Sequence, residues 1–547
     1  MKTDILKLSF MALAVTAFMV GCTQDGDLVN TTDTNNKVLK VTTTVKDFTP
    51  DANTRVVDEV DPENGNNYVT KFQEGDEMGV YAFMEDGTVM CKNLPMTYTK
   101  DGKWASDAPL YFYKNATYIA YSPYNANISN VELTSENAIS AITDYFVTTV
   151  FTDASKTYAE CDLMTASVTT DNNLPEADAS AITFNFAHAM SMVEFVIPIK
   201  KYKSPTTGYE YSGPVFEVKL QKQEGTGAKV DVTALALGKG VYRSLLAPVA
   251  ANAIDKDMIF HGEMMVGDGT QPVYFSTKTA FKPEAGKYKK VTVAYTNSPD
   301  ATVEDRDLKV GDYYYADGGI VPGDAATIPS KNCIGIVYST DMTGSDTGKK
   351  NAYVIALGDT EKVNGDKVFW WQGDNTVTDI IPRFDTAVEG SFDTMMADMN
   401  GYTVKSKLLE VGKLNSFEAC AAASGVGAKA VVTPVGTSGW YLPTIAQLAT
   451  AFCNLAKVQP GITVGQLINT SAEQYTALLE LFKKVGYTDL PESGDTYCLW
   501  TCTDLDDNSA WTLKFNLRNS TKNIEVAALK KKNQGSRIMH IRAILAF

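Results

Sequence analysis

The sequence predicts a multi-domain chain, all-β in its N-terminal half and α+β in its C-terminal domain. Three observations lead there. From Val38 to about Ser298 the apolar residues follow strand patterns, with hardly a window that suggests a long helix. Beyond a charged stretch at 298–309, helical windows appear between strands. Five of the six tryptophans, Trp370, Trp371, Trp440, Trp500 and Trp511, lie past that stretch. A length of 547 residues with 44% hydrophobic content is enough for several separate cores.

The first element is not part of the fold. Lys2 and Lys7 precede an apolar run, Leu8 to Val20, of secretory-signal length and too short to span a bilayer comfortably. Val20-Gly21-Cys22 closes it and resembles a bacterial lipobox, which makes residues 1–21 a lipoprotein signal peptide and Cys22 the lipidated residue. An ordinary signal peptide with an incidental cysteine is the alternative. After Cys22 no apolar run is long enough for a transmembrane helix, so a lipid must do any anchoring. Residues 22–37 are polar and acidic and read as a tether.

Strands follow. "KVLKVTTTVKDF", "MGVYAF", "YIAYSPY", "MVEFVIPI", "VFEVKLQK" and "KKVTVAYT" are rich in β-branched and aromatic residues, and Asp86-Gly87 and Asp101-Gly102 supply turns between them. This half divides most easily into two antiparallel sandwiches, 38–175 and 176–297, with 298–309 as a linker to a domain at 310–547. In that last domain Thr444 and Gln447 form a candidate capping box before "IAQLATAFCNLAKV". A second helix begins near Ser471 and carries Leu478, Leu479 and Phe482 on one side. "NSFEACAAASG" reads as a shorter helix stopped by Gly425, and "RIMHIRAILAF" alternates as a strand.

Net charge of −16 makes nucleic acid and anionic membrane surfaces poor partners. Catalytic patterns are scarce. The three histidines, His188, His261 and His540, stand apart, and His188 falls in an alternating stretch that predicts a hydrogen-bonded sheet position. No HExxH, CxxC or G-x-S-x-G occurs, and "GSDTGKK" at 344–350 is one residue short of a phosphate loop and reads as a turn. The chain is therefore expected to be no enzyme and to need no cofactor. Cys498 and Cys502 would sit roughly 13 Å apart on a strand, too far for a disulfide, and read as buried free thiols. Asp504, Asp506, Asp507 and Asn508 bunch before Trp511 and make a candidate ligand-binding loop; hard oxygens could hold calcium there, but the glycine and distal glutamate of an EF-hand are missing and no metal is assigned.

Two resemblances add to this reading. "FQEGDEMGVYAF", "GKWASDAPLYFYKNATYIAYSPYN", "CDLMTASV", "FNFAHAMSMVEFVIP" and "GKYKKVTVAY" occur in the order seen in the fimbrillin family of Bacteroidales, over roughly residues 38 to 297. That resemblance implies two transthyretin-like β-sandwich domains, export to the outer face of the outer membrane, and assembly into surface fimbriae. Asp25 and Asp27 resemble the acidic export signal of such lipoproteins. "GWYLPTIAQL", "CLWTCTDLDDNSAWTLKF" and "IRAILAF" are similar to C-type-lectin-like domains. Their calcium-dependent sugar motifs, Glu-Pro-Asn and Trp-Asn-Asp, are absent, and Trp440, Trp500 and Trp511 fit core positions better than ligand platforms.

The fimbrillin resemblance further implies cleavage after an arginine, loss of the first strand, and its replacement by a strand from a stalk subunit. Arg55 follows the candidate first strand Val38 to Phe48 and is the only arginine before Arg243, so Arg55-Val56 is the candidate cleavage bond; an ordinary surface arginine is the alternative. The hydrophobic "ILAF" reads as a central strand and leaves no tail to donate. The expectation is a tip adhesin in a fimbrium, with a stalk subunit as one partner and a glycan or protein as the other. A non-polymerising surface lipoprotein that captures glycans or proteins is the rival.

Overall fold

In the computed structural model, the described residues are 37–50, 70–153, 155–170, 181–249, 256–299, 302–360, 370, 380–385, 387–426, 432–458, 468–495, 497–518, 522–530 and 538–547. Among them the molecule is mostly β-sheet with few helices, and no described helix is long and apolar enough to cross a membrane.

β1 (Lys40–Lys46) and β2 (Thr49–Pro50) are followed by β3 (Glu77–Met84), β4 (Val89–Tyr98), β5 (Trp104–Ala105), β6 (Ala116–Ser122), β7 (Met164–Thr169) and β8 (Ala181–His188). One seven-stranded sheet takes all but β2, in the order β1-β8-β7-β6-β3-β4-β5. It bends until its edges meet: Val38 bridges Tyr111, and the Trp104 indole N–H donates to Thr43 Oγ1 at 3.1 Å. Among the described residues this single sheet closes on itself around Val80, Ala82, Tyr118 and Phe184. Its outer face is buried too. α1 (Ala138–Tyr145), a π-helical turn at Phe146–Val150, and α2 (Tyr158–Cys161) pack Ile142, Phe146 and Val150 over Tyr81, Phe83 and Ile119. The strand-rich pattern of this half does not predict these short helices.

A true sandwich comes next, from β9 (Ser191–Val196), β12 (Val215–Glu224), β13 (Val230–Val232), β14 (Ala234–Gly238), β15 (Val241–Leu246), β16 (Lys256–Val266), β17 (Val273–Phe281) and β18 (Lys287–Thr292), with β10 (Lys201–Lys203) and β11 (Glu210–Ser212) between β9 and β12. Sheets β13-β12-β16-β17 and β14-β15-β9-β18-β2 face each other across Phe195, Leu220, Phe260, Phe275 and Val291. β8 lies within 176–297 yet pairs in the first sheet, so sheet membership changes between His188 and Ser191.

Within the charged stretch at 298–309, residues 303–307 are bound down. β19 (Val303–Asp305) pairs in parallel with β10, and Asp307 accepts hydrogen bonds from the Ser204 and Thr206 hydroxyls. The Arg306 guanidinium grips Asp312, which is 1% exposed, through two bonds of 2.8 Å. Gly319 passes so close to Pro214 that a Cβ would lie 2.4 Å from its Cα.

The C-terminal part has two five-stranded sheets. One comprises β20 (Tyr313–Tyr315), β21 (Ile320–Val321), β22 (Cys333–Ser339), β23 (Tyr353–Ala356) and β29 (Ile544–Ala546). The other comprises β24 (Ile468–Thr470), β25 (Tyr497–Asp504), β26 (Ser509–Asn516), β27 (Lys522–Lys530) and β28 (Ile538–His540). Around them lie α3 (Ser391–Met396), α4 (Gly401–Glu410), α5 (Glu418–Ala423), α6 (Ile445–Leu455) and α7 (Ala472–Lys483). The expected capping box of Thr444 with Gln447 forms before α6, and α7 begins after Ser471 as expected, with a second box from Ser471 and Gln474. Gly425, at φ +85°, follows α5 as expected.

Candidate functional site

The first strand occupies a seat that spans two sheets. β1 runs parallel to β8 in the register Lys40 with Ala181 to Lys46 with Ala187, and β2 runs parallel to β18 through Thr49 with Lys287 and Tyr288 with Pro50. Period-two alternation sends Leu39 and Val41 into the core of the first sheet, with Val45 packed against it. On the other face, Thr42 Oγ1 lies 2.7 Å from Thr183 Oγ1 and Thr44 Oγ1 donates to Asn185 Oδ1 at 2.6 Å. Leu39 N–H donates to Leu110 O at 2.8 Å, so the strand also closes the seam of the bent sheet.

Phe48 marks the crossing from one sheet to the next. It is buried, and its ring stacks on the His188 imidazole with centroids 3.8 Å apart and planes 20° apart. Full burial of an aromatic side chain contributes about 1.5–3 kcal/mol. His188 Nδ1 lies 2.8 Å from Asp162 Oδ1 and Nε2 lies 3.2 Å from Thr70 Oγ1, so both ring nitrogens are held. The hydrogen-bonded sheet position expected for His188 is what the structure contains. Thr70 N–H also donates to Asp47 Oδ1 at 3.1 Å, tying the chain after the 51–69 segment to the chain before it. Beyond Phe48, Lys287 Nζ donates to Thr49 Oγ1 at 3.0 Å.

Cys22, Arg55 and Val56 lie outside the described residues. The acidic loop expected as a ligand-binding site is described, and its carboxylates have partners within the chain. Asp504 is 3% exposed and meets the Arg383 guanidinium at 3.1 Å, which also reaches Asp507 at 2.8 Å. Asp506 Oδ1 accepts from the N–H groups of Asn508 and Ser509, each at 2.7 Å, and thereby shapes the turn. Trp511 is buried and its indole N–H donates to Phe384 O at 3.0 Å. Asp504 and Asp507 are thus engaged by an arginine that stands 121 residues away from Asp504 in sequence, a partner no local pattern could reveal. Trp440 and Trp500 are buried as well. Among the described residues, no group of three or more His, Cys, Asp or Glu side chains could hold a metal ion.

Ile544–Ala546, within "ILAF", is the edge strand of its sheet beside β23 rather than the central strand expected, but its far side is covered: Tyr441 exchanges two backbone hydrogen bonds with Ile544, of 2.9 and 3.0 Å. Phe547 stacks on Tyr314 with centroids 4.6 Å apart. The strand is therefore enclosed on both sides, though by a bridge rather than by a full second strand. Cys498 and Cys502 are buried free thiols, as are Cys91, Cys161, Cys333, Cys420 and Cys453.

The chain is similar to several known proteins. Residues 54–312 match the family described as fimbrillin-like. Over 350 residues the chain is 27% identical to a protein of Bacteroides ovatus named as a candidate fimbrium tip subunit, Fim1C, covering 61% of this chain and 59% of that one. The chain thus spans about three-fifths of that relative's length. A crystal structure of a fimbrial protein from Bacteroides ovatus aligns over 94% of this chain and 99% of its own, at 20% identity and a TM-score of 0.44. A candidate cell adhesion protein from Bacteroides uniformis aligns over 48% of this chain and 95% of its own, at 15% identity and a TM-score of 0.27.

Proposed function

We propose, for a chain that carries a fimbrillin-like region at residues 54–312, that it is a fimbrial tip subunit whose first strand is exchanged for a strand from a stalk subunit. The observation that supports this most directly is the seat of β1 and β2. One segment of fourteen residues or fewer closes the edges of two separate sheets, so its removal opens both at once. Exposed sheet edges recruit strands, and an apolar groove beside such an edge fixes which ones. In this reading Cys22 is lipidated and carries the chain to the outer membrane, and cleavage between Arg55 and Val56 then releases the anchor together with β1 and β2.

The tip assignment draws on two further points. Ile544–Ala546 is engaged on both sides within its own domain, so this segment is not available for donation to a neighbour. The relative in Bacteroides ovatus bears the name of a tip subunit. The C-terminal part, residues 310–547, is then a lectin-like domain that meets a glycan or a protein of a host or another bacterium.

Mass spectrometry of the surface-exposed protein tests this reading. A mature N-terminus at Val56 is expected, and Arg55→Ala should leave the chain full-length and absent from fimbriae. An Arg55→Ala protein that is still shortened and still assembles would refute it, and an intact lipidated Cys22 in wild-type cells would favour the non-polymerising lipoprotein.

A further inference from the structure

We infer that the socket of Phe48 is the anchor point for the incoming strand and that it selects an aromatic side chain. This rests on the strand-acceptor function proposed above. The groove is not uniform along its length. Leu39, Val41 and Val45 follow the two-residue period of a strand and pack among aliphatic and aromatic neighbours of the bent sheet, a surface that any β-branched or Leu side chain fills. Phe48 breaks the period, three residues after Val45, where the chain leaves the edge of β8 for the edge of β18.

At that point the wall is a flat π surface. The His188 ring is stacked against Phe48, and its two nitrogens are held by Asp162 and Thr70. Both partners lie C-terminal to Arg55 and remain when residues up to 55 leave, so the imidazole keeps its orientation and one face loses its cover. Phe48 also belongs to the cluster of Leu163, Met190, Met192 and Tyr288. Departure of the strand therefore leaves a hole shaped for a ring, with a fixed imidazole on one side and apolar side chains around it. Stacked rings gain on top of their area burial, which aliphatic side chains do not. The partner strand accordingly runs in the direction of β1, with apolar residues two apart and then an aromatic residue three positions beyond the last of them.

Peptide exchange tests the inference with substitutions that leave the protein untouched. Full-length chain is cut at Arg55 by an arginine-directed protease and incubated with a fluorescent peptide of residues 38–50, VLKVTTTVKDFTP. Peptides carrying Phe48→Tyr, Phe48→Leu or Phe48→Ala compete against it. The Tyr peptide should match the parent within a few-fold, the Leu peptide should bind about 10-fold more weakly, and the Ala peptide about 100-fold or more. Equal binding of the Ala and Phe peptides would remove the anchor while leaving strand acceptance intact, and equal binding of Leu and Phe would remove the aromatic selection. Failure of every peptide to exchange, including the parent, would overturn strand acceptance itself.

Discussion

Replacing Asp359 by Asn should destabilise the C-terminal part severely, because it strands a buried cation. Arg542 is 0% exposed. Its Nε and Nη2 donate to Asp359 Oδ1 at 3.1 and 2.7 Å, and Nη1 donates to Leu357 O at 2.6 Å. The Tyr497 hydroxyl donates to the same carboxylate at 2.7 Å, and His540 Nδ1 lies 2.7 Å from its other oxygen. Removing one partner of a buried ion pair costs about 3–5 kcal/mol, since the remaining charge has lost its compensation and cannot return to water. For a domain of this size each kcal/mol moves Tm by about 2–4 °C, so the variant should melt roughly 6–20 °C lower. Trp370, Trp440, Trp500 and Trp511 are all buried in this part, so tryptophan fluorescence reports its unfolding.

Acid provides the control. Burial alone would raise the Asp359 carboxyl, but the Arg542 charge and the bonds from His540 and Tyr497 outweigh it and hold the group below its ordinary value. A depressed carboxylate stabilises the fold fully above its unfolded value of about 4, and that contribution is lost as pH falls through the folded value. The gap between wild type and Asp359→Asn should therefore be full at pH 7 and shrink progressively below about pH 4. A cost under about 1 kcal/mol at pH 7, or a gap that persists unchanged in acid, would refute the assignment of Asp359 as the counter-charge of Arg542.

Two smaller effects follow from the same part of the molecule. Thr444→Ala removes a hydroxyl that accepts from Gln447 N–H at 3.2 Å and donates to Asp398 O at 2.6 Å, and should cost about 1–2 kcal/mol in denaturant unfolding, with Thr444→Ser recovering most of it. Isothermal titration with millimolar calcium should give no heat from the 504–508 loop, because the Arg383 guanidinium already occupies carboxylate oxygens of Asp504 and Asp507; heat abolished by Asp507→Asn would contradict this.

What could be read from the sequence was what is settled within a few residues. Thr444 with Gln447 and Ser471 with Gln474 satisfy the free N–H groups of a helix start locally, so their pattern specifies both helix N-termini. Alternation at Leu39, Val41 and Val45 likewise revealed the first strand. Its partner was not legible, because β8 lies 141 residues further on and the parallel pairing of Thr42 with Thr183 leaves no local trace. The same holds for Arg383 against Asp504. The helix at Ala138–Tyr145 could have been found, since Ala138, Ile142, Phe146 and Val150 are buried at a spacing of four, but the β-branched Val147 to Val150 obscured that stripe. The stretch at 298–309 looked like a linker by its charge, and it is the partners of that charge, Asp312 for Arg306 and Ser204 for Asp307, that make it structure.

Those fastenings decide how the molecule carries tension. A pull on the C-terminal part reaches the second sandwich through the ladder of β10 and β19, through the paired bonds between Arg306 and Asp312, and through Gly319 pressed against Pro214. Phe547 adds a further contact across the junction, with its ring 6.0 Å from that of Tyr209. The contact of Gly319 with Pro214 acts beside the path that runs through Arg306 and β19, so a load is divided between two routes. A load applied to the C-terminal part would therefore cross to the second sandwich without a slack hinge at the β19 segment.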